Sequence, residues 1–159
     1  MFLHIDTLLP TMSPQFLLQP LTAGSGYTWG RFDVRLSGNH PAFRVIETMM
    51  NLRSRLTGIA TGDQAMFVSR DIFEKVGGFA DIPLMEDVRL SKDLCVQTGR
   101  PLCLRERVSS SSRRWEKHGI VRTVVLMWWL RLAYVMGVDP ERLHRRYYQH
   151  KDAGDRSSG

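Results

Sequence analysis

Four short stretches of this chain carry residue types that could do chemistry. In Phe2-Leu-His-Ile-Asp6 the two polar side chains, His4 and Asp6, are two residues apart, and strand alternation would turn both to one face. An imidazole and a carboxylate so placed suit Mn²⁺ or Mg²⁺, which would bridge a diphosphate and stabilise it as a leaving group. Glu86-Asp87 stands at an expected helix start, with Asp87 the candidate general base for an attacking hydroxyl and Glu86 a supporting carboxylate. Arg113-Arg114-Trp115 offers two cations and a flat ring, a set that can hold a diphosphate and stack on a sugar or a base. Gly62-Asp63-Gln64 joins a glycine that lets the backbone approach a ligand to two side chains able to bind sugar hydroxyls. Each stretch also has a plainer reading: an Asp that starts a turn, acids that complement a helix dipole, a solvated basic loop, and a tight turn.

The bulk properties bound what these residues could serve. At 159 residues, 43% apolar and 24% charged, the chain is expected to form one globular domain over residues 1–150 with a disordered tail over 151–159. Its formal charge of +6 and isoelectric point near 9.8 suit polyanions. The excess cations gather at residues 105–117 and 142–151, whereas a nucleic-acid binder would more often interleave such residues with exposed aromatics, which disfavours nucleic acid. Cys95 and Cys103 fit no metal spacing and read as reduced core thiols. Residues 1–6 lack the basic flank and long apolar stretch of a signal peptide, so the expected location is cytoplasmic.

The elements that would position these residues follow from periodicity and punctuation. Residues 2–5 read as a short buried strand, 27–36 as a partly alternating strand and 65–68 as another, with a fourth over 101–104. Helices are expected over 14–18, 41–56, 70–76, 86–98 and 120–137, with a further short one from Pro140. In the helix over 41–56 the apolar side is read as Phe43, Ile46 and Met50 with Met49, Leu52 and Leu56 beside them. Residues 109–115 read as a polar, basic loop. Residues 120–138 are apolar almost all round yet carry Arg122 and Arg131, so they form either a buried helix or one lying in a membrane interface, not a span. The class is α/β with a mixed sheet.

The order of the motifs is more specific than any one of them. His-x-Asp at a strand end, Gly62-Asp-Gln-Ala65, Val76-Gly-Gly-Phe79, Met85-Glu-Asp-Val88 and Arg113-Arg-Trp115 together resemble the family 2 glycosyltransferases of the GT-A type, over about residues 2–147. Finer matches, with Pro83-Leu-Met-Glu-Asp87 and Ser112-Arg-Arg-Trp-Glu116, are similar to a bacterial subgroup linked with arsenosugar biosynthesis. The resemblance implies a GT-A-like mixed sheet flanked by helices, with Asp6 binding metal, Asp87 deprotonating the acceptor, and Arg114-Trp115 contacting donor or acceptor. His4 stands where many relatives have Asp, and Ser111 where processive synthases have Gln, which implies a single-transfer enzyme. The N-terminal, nucleoside-binding half of that fold has no counterpart here, so the chain reads as truncated.

The expected function is therefore inverting, metal-dependent transfer of a sugar from a nucleoside diphosphate sugar to an acceptor hydroxyl. Its partners would be that donor and an unidentified acceptor, with no nucleic acid. The competing reading is an inactive remnant, or a basic module that meets the inner membrane or a protein partner through residues 120–138.

Overall fold

The computed structural model describes the backbone of residues 1–11 and 26–155, and the side chains of all these except Arg114, His118 and residues 148–155. The helix expected over 14–18 lies outside the described residues. Two compact units fall within the span read as one domain: residues 1–80 with 87–112, and residues 81–86 with 113–159.

The first unit is built on a four-stranded mixed sheet. Its strands are β1 (Thr7–Leu8), β2 (Trp29–Leu36), β3 (Met66–Val68) and β4 (Leu102–Ser110), in the order β1-β4-β2-β3. The β2 and β4 strands run parallel, while β1 on β4 and β3 on β2 are antiparallel. A parallel neighbour demands a crossover. Here it contains helices α1 (Pro41–Thr57), α2 (Arg70–Lys75) and α3 (Glu86–Thr98), with β3 between the first two.

The paired strands sort their side chains onto two faces, as period two requires. On one, Phe32, Val34, Phe67, Leu104 and Val108 cluster with Ile46 and Met50 of α1. On the other, Trp29 and Met66 cluster with Leu90 and Leu94 of α3 and with Ile72 and Phe73 of α2. Covering both faces explains why β2 is buried at every position but Arg35, and why its alternation is blurred in the sequence. Gly30 is obligatory there: a Cβ would lie 2.5 Å from the Phe67 ring and 2.6 Å from the Leu102 carbonyl oxygen.

Helix α1 forms where expected and corrects the reading of its inner face. His40 caps it, its Nδ1 accepting from Ala42 N–H at 3.2 Å, and Pro41 occupies the first turn. Gly58 ends it at φ 76°, its N–H donating to Ser54 O. Phe43 and Met50 are buried, but Met49, Leu52 and Leu56 are exposed, and the buried positions beside the apolar ones are Glu47 and Ser54. The reason lies in the β2 edge. β3 pairs only with residues 29–31 of β2, so Val34 and Leu36 present main-chain groups on that side with no strand to meet. Asn51 takes the place of that strand: its Oδ1 accepts from Val34 N–H at 2.9 Å and its Nδ2 donates to Val34 O at 3.1 Å. Glu47 accepts from Leu36 N–H at 2.5 Å.

Asn51→Ala is accordingly expected to lower unfolding stability by about 2–4 kcal/mol, because two buried main-chain groups lose their partner. Leu52→Ala, on the exposed face, should change it by less than about 0.5 kcal/mol. Urea denaturation of both variants checks the assignment, and equal losses would defeat it.

Beneath the same helix, within the strand read as partly alternating, lies an ion network. Arg31 is wholly buried and pairs with Asp33. It also donates to Asn51 O at 3.1 Å, and Arg55 reaches the second Asp33 oxygen at 2.6 Å. The two thiols are free, as the sequence suggested. Burial pushes the Cys95 thiol above its ordinary range, with Arg100 opposing, which keeps it in the protonated, unreactive form.

The second unit holds α4 (Arg113–His118), α5 (Ile120–Val135) and α6 (Pro140–Asp155). The loop expected over 109–115 is instead the end of β4, which runs to Ser110, followed by α4. β-Pairing of Ser109 and Ser110 with Leu8 and Thr7 extends the strand beyond its apolar start. Helix α6 continues to Asp155, past the boundary set at residue 150 for a disordered tail, and Lys151 and Ala153 are good helix formers. No described helix is long and apolar enough to cross a membrane.

Candidate functional site

The segment carrying His4 and Asp6 is not a buried strand. Residues 4–7 form a turn in which Thr7 N–H donates to His4 O at 3.0 Å, leaving Ile5 at the corner and 99% exposed. Both ends of the turn are pinned. Upstream, Phe2 N–H donates to Met66 O at 2.7 Å, and its ring packs on Phe73 at 4.8 Å and edge-on to Phe79 at 4.7 Å. Gly77 and Gly78, both at positive φ, bring Phe79 round to that position. Downstream, Thr7 pairs with Ser110 in β1, and Ser111 N–H donates to Asp6 O.

This turn brings His4 and Asp6 together by a route different from the expected alternation: His4 Nδ1 donates to Asp6 Oδ1 at 2.5 Å. It also sets them against a third potential ligand that sequence distance hides. Asp63, in the 3₁₀ turn Gly62–Gln64, joins them, and one potential ligand atom from each residue lies within 4.8 Å of the others. Ser110 Oγ donates to Asp63 Oδ1 at 3.2 Å and so orients it. One imidazole and two carboxylates make a hard, oxygen-rich donor set that fits Mn²⁺ or Mg²⁺. His4 and Asp6 are exposed and Asp63 half-buried, so the set is open to solvent.

Gly62 links this set to the candidate base. A Cβ on it would lie 3.7 Å from the His4 ring and 3.9 Å from Asp87 Oδ2, so the residue sits between the two. Its N–H donates to Asp87 Oδ2 at 2.8 Å, and Val88 N–H donates to Asp87 Oδ1 at 2.7 Å. The Asp87 carboxylate is thus held in direction by two main-chain amides, one on each oxygen. Two non-glycine residues with positive φ flank these segments, Ala65 at 45° just after Gln64 and Met85 at 69° just before Glu86. Such conformations cost roughly 1–3 kcal/mol each and collect at functional sites.

Gln64 is wholly buried and its Nε2 donates to Asn51 Oδ1 at 3.3 Å, so it is a core residue and not a sugar ligand. Glu86 is exposed and belongs, by one residue, to the second unit. Arg113, exposed, and Trp115, half-buried, stand with Arg114 on α4 of that same unit. The place of Asp63 beside His4 is not visible in the sequence, since the two are brought together by contacts between distant segments, among them the Phe2–Met66 bridge and the β1–β4 pairing. No protein-family model, curated protein or solved structure matches the chain.

Proposed function

We propose that this chain is the metal-binding and acceptor-side part of a nucleotide-sugar glycosyltransferase of the family 2, GT-A type, catalysing a single inverting transfer. One observation supports the reading above the others: the His4–Asp6–Asp63 set lies beside Gly62, whose amide holds the Asp87 carboxylate. A charge-neutralising position and a proton acceptor are therefore separated by one glycine, as a displacement at an anomeric carbon needs.

His4, Asp6 and Asp63 would hold a divalent cation, which when bound supplies positive charge against the departing diphosphate. Asp87 takes the proton of the acceptor hydroxyl as that oxygen bonds to the anomeric carbon. The carbon–oxygen bond to the diphosphate breaks with its electron pair leaving on the diphosphate, and attack from the opposite side inverts configuration. The two amides fix the carboxylate in direction, so little ordering is left to the reaction itself.

A thermal-shift titration with Mn²⁺ and a panel of nucleoside diphosphates and their sugars tests this. At about one hundred times Kd, ligand stabilisation of roughly 2.7 kcal/mol should raise Tm on the order of 5–10 °C. The shift should be selective for one nucleotide, should require the metal, and should vanish in Asp6→Ala and Asp63→Ala. No shift with any nucleotide, or one indifferent to both substitutions, would remove the basis of the reading.

A further inference from the structure

Helix α5 buries the wrong amount of apolar surface for a core helix. Thr123, Leu130 and Ala133 are its buried residues. Val121, Val125, Trp128, Leu132, Val135 and the following Met136 are each between 53% and 75% exposed. Their spacing of four, three, four and three residues gathers them into one stripe along the helix. Isolated exposed apolar residues are ordinary, but a continuous stripe of six large ones marks a surface that something covers.

Charge points to what covers it. At 100° per residue, Arg122 and Arg131 fall at the two borders of the stripe. Residues 113–147 contain eight Lys or Arg against three Asp or Glu, so nearly all of the chain's net +6 arises there. Within this unit, Arg122, Val125, Leu126 and Trp129 of α5 and Arg146 of α6 line a groove of about 430 Å³. The Arg146 guanidinium lies 4.6 Å from the Trp129 ring centroid. Two cations, an indole and aliphatic walls are what the phosphate and upper acyl region of a lipid would meet. A second copy of this chain would bring like charges to the same borders. At 16 residues, or about 24 Å, α5 is shorter than the ~30 Å hydrocarbon core.

We infer that the α5–α6 pair docks on an anionic membrane surface: the α5 stripe sinks into the headgroup boundary, and Arg122 and Arg146 take a lipid phosphate in the groove. The helix lies in the interface plane with Trp128 and Trp129 at headgroup level, and the arginines extend to the polar layer. This does not depend on the catalytic reading, because every residue used belongs to the second unit.

Vesicle flotation of the full chain decides it. Binding should be strong to phosphatidylcholine vesicles with about 30% phosphatidylglycerol, and at least about tenfold weaker to pure phosphatidylcholine, since each cation near an anionic surface contributes substantially. Raising salt from about 0.1 M to about 0.5 M should weaken it, because screening shortens the reach of the charges. Trp128→Glu with Leu132→Glu should abolish flotation, with circular dichroism showing retained helix. Arg122→Gln with Arg146→Gln, which leaves the apolar stripe intact, should reduce the partition coefficient about tenfold or more. Failure to float with anionic vesicles overturns the inference. So does equal flotation with neutral vesicles, indifference to the arginine pair, or a dimer in size-exclusion chromatography that the stripe variant dissolves.

Discussion

Asp87→Asn should lower sugar transfer by about 10²–10⁴, the range that a positioned general base supplies, while leaving metal-dependent nucleotide binding close to that of the parent. The amide keeps the size of the carboxylate and can still accept from one of the two main-chain donors, Gly62 N–H and Val88 N–H. What it loses is the capacity to take up the hydroxyl proton as the acceptor oxygen attacks. The split between the two readouts matters: Asp6→Ala should lose binding and transfer together, Asp87→Asn transfer alone. Single-turnover transfer measured beside the thermal shift separates them. A variant that keeps transfer within about threefold of the parent would exclude Asp87 as the base.

The largest effect on stability should come from Asp33→Ala, with an expected loss of about 3–5 kcal/mol and a fall in Tm on the order of 10 °C. Asp33 is the anion shared by Arg31, which has no exposed surface, and Arg55, whose Nη2 is 2.6 Å from Oδ2. Removing it strands a cation where water cannot reach, and that penalty exceeds the worth of the pair itself. Arg31→Met added to Asp33→Ala should restore more than about 1 kcal/mol, because the stranded cation goes with it. Urea denaturation of both single variants and the double gives the coupling. A loss below about 1 kcal/mol in Asp33→Ala would show the network to be solvated after all.

Local signals were enough to place most of the elements. Pro41 and Gly58 bounded α1, Gly99 stopped α3, and the two glycines after α2 turned the chain, because each of these residues acts on the backbone within a few positions. The chemistry-bearing residues His4, Asp6, Gly62, Asp63 and Asp87 also stand out by type and neighbourhood. Their common location was not legible, since it depends on contacts between distant parts of the chain. Phe2 on Met66, Thr7 beside Ser110, and Gly62 N–H on Asp87 join positions that no local period connects.

Three readings needed the tertiary structure because burial reversed what polarity suggested. Gln64, Arg31 and Glu47 are polar and lie inside, where main-chain edges and an ion network await them; Leu52, Leu56 and Trp128 are apolar and lie outside. A helix or strand pattern fixes which side chains share a face, by the geometry of the backbone. Which face turns inward is set by what the neighbouring element leaves unsatisfied. In α1 that was an unpaired strand edge, and it drew in Asn51 and Glu47 ahead of two leucines.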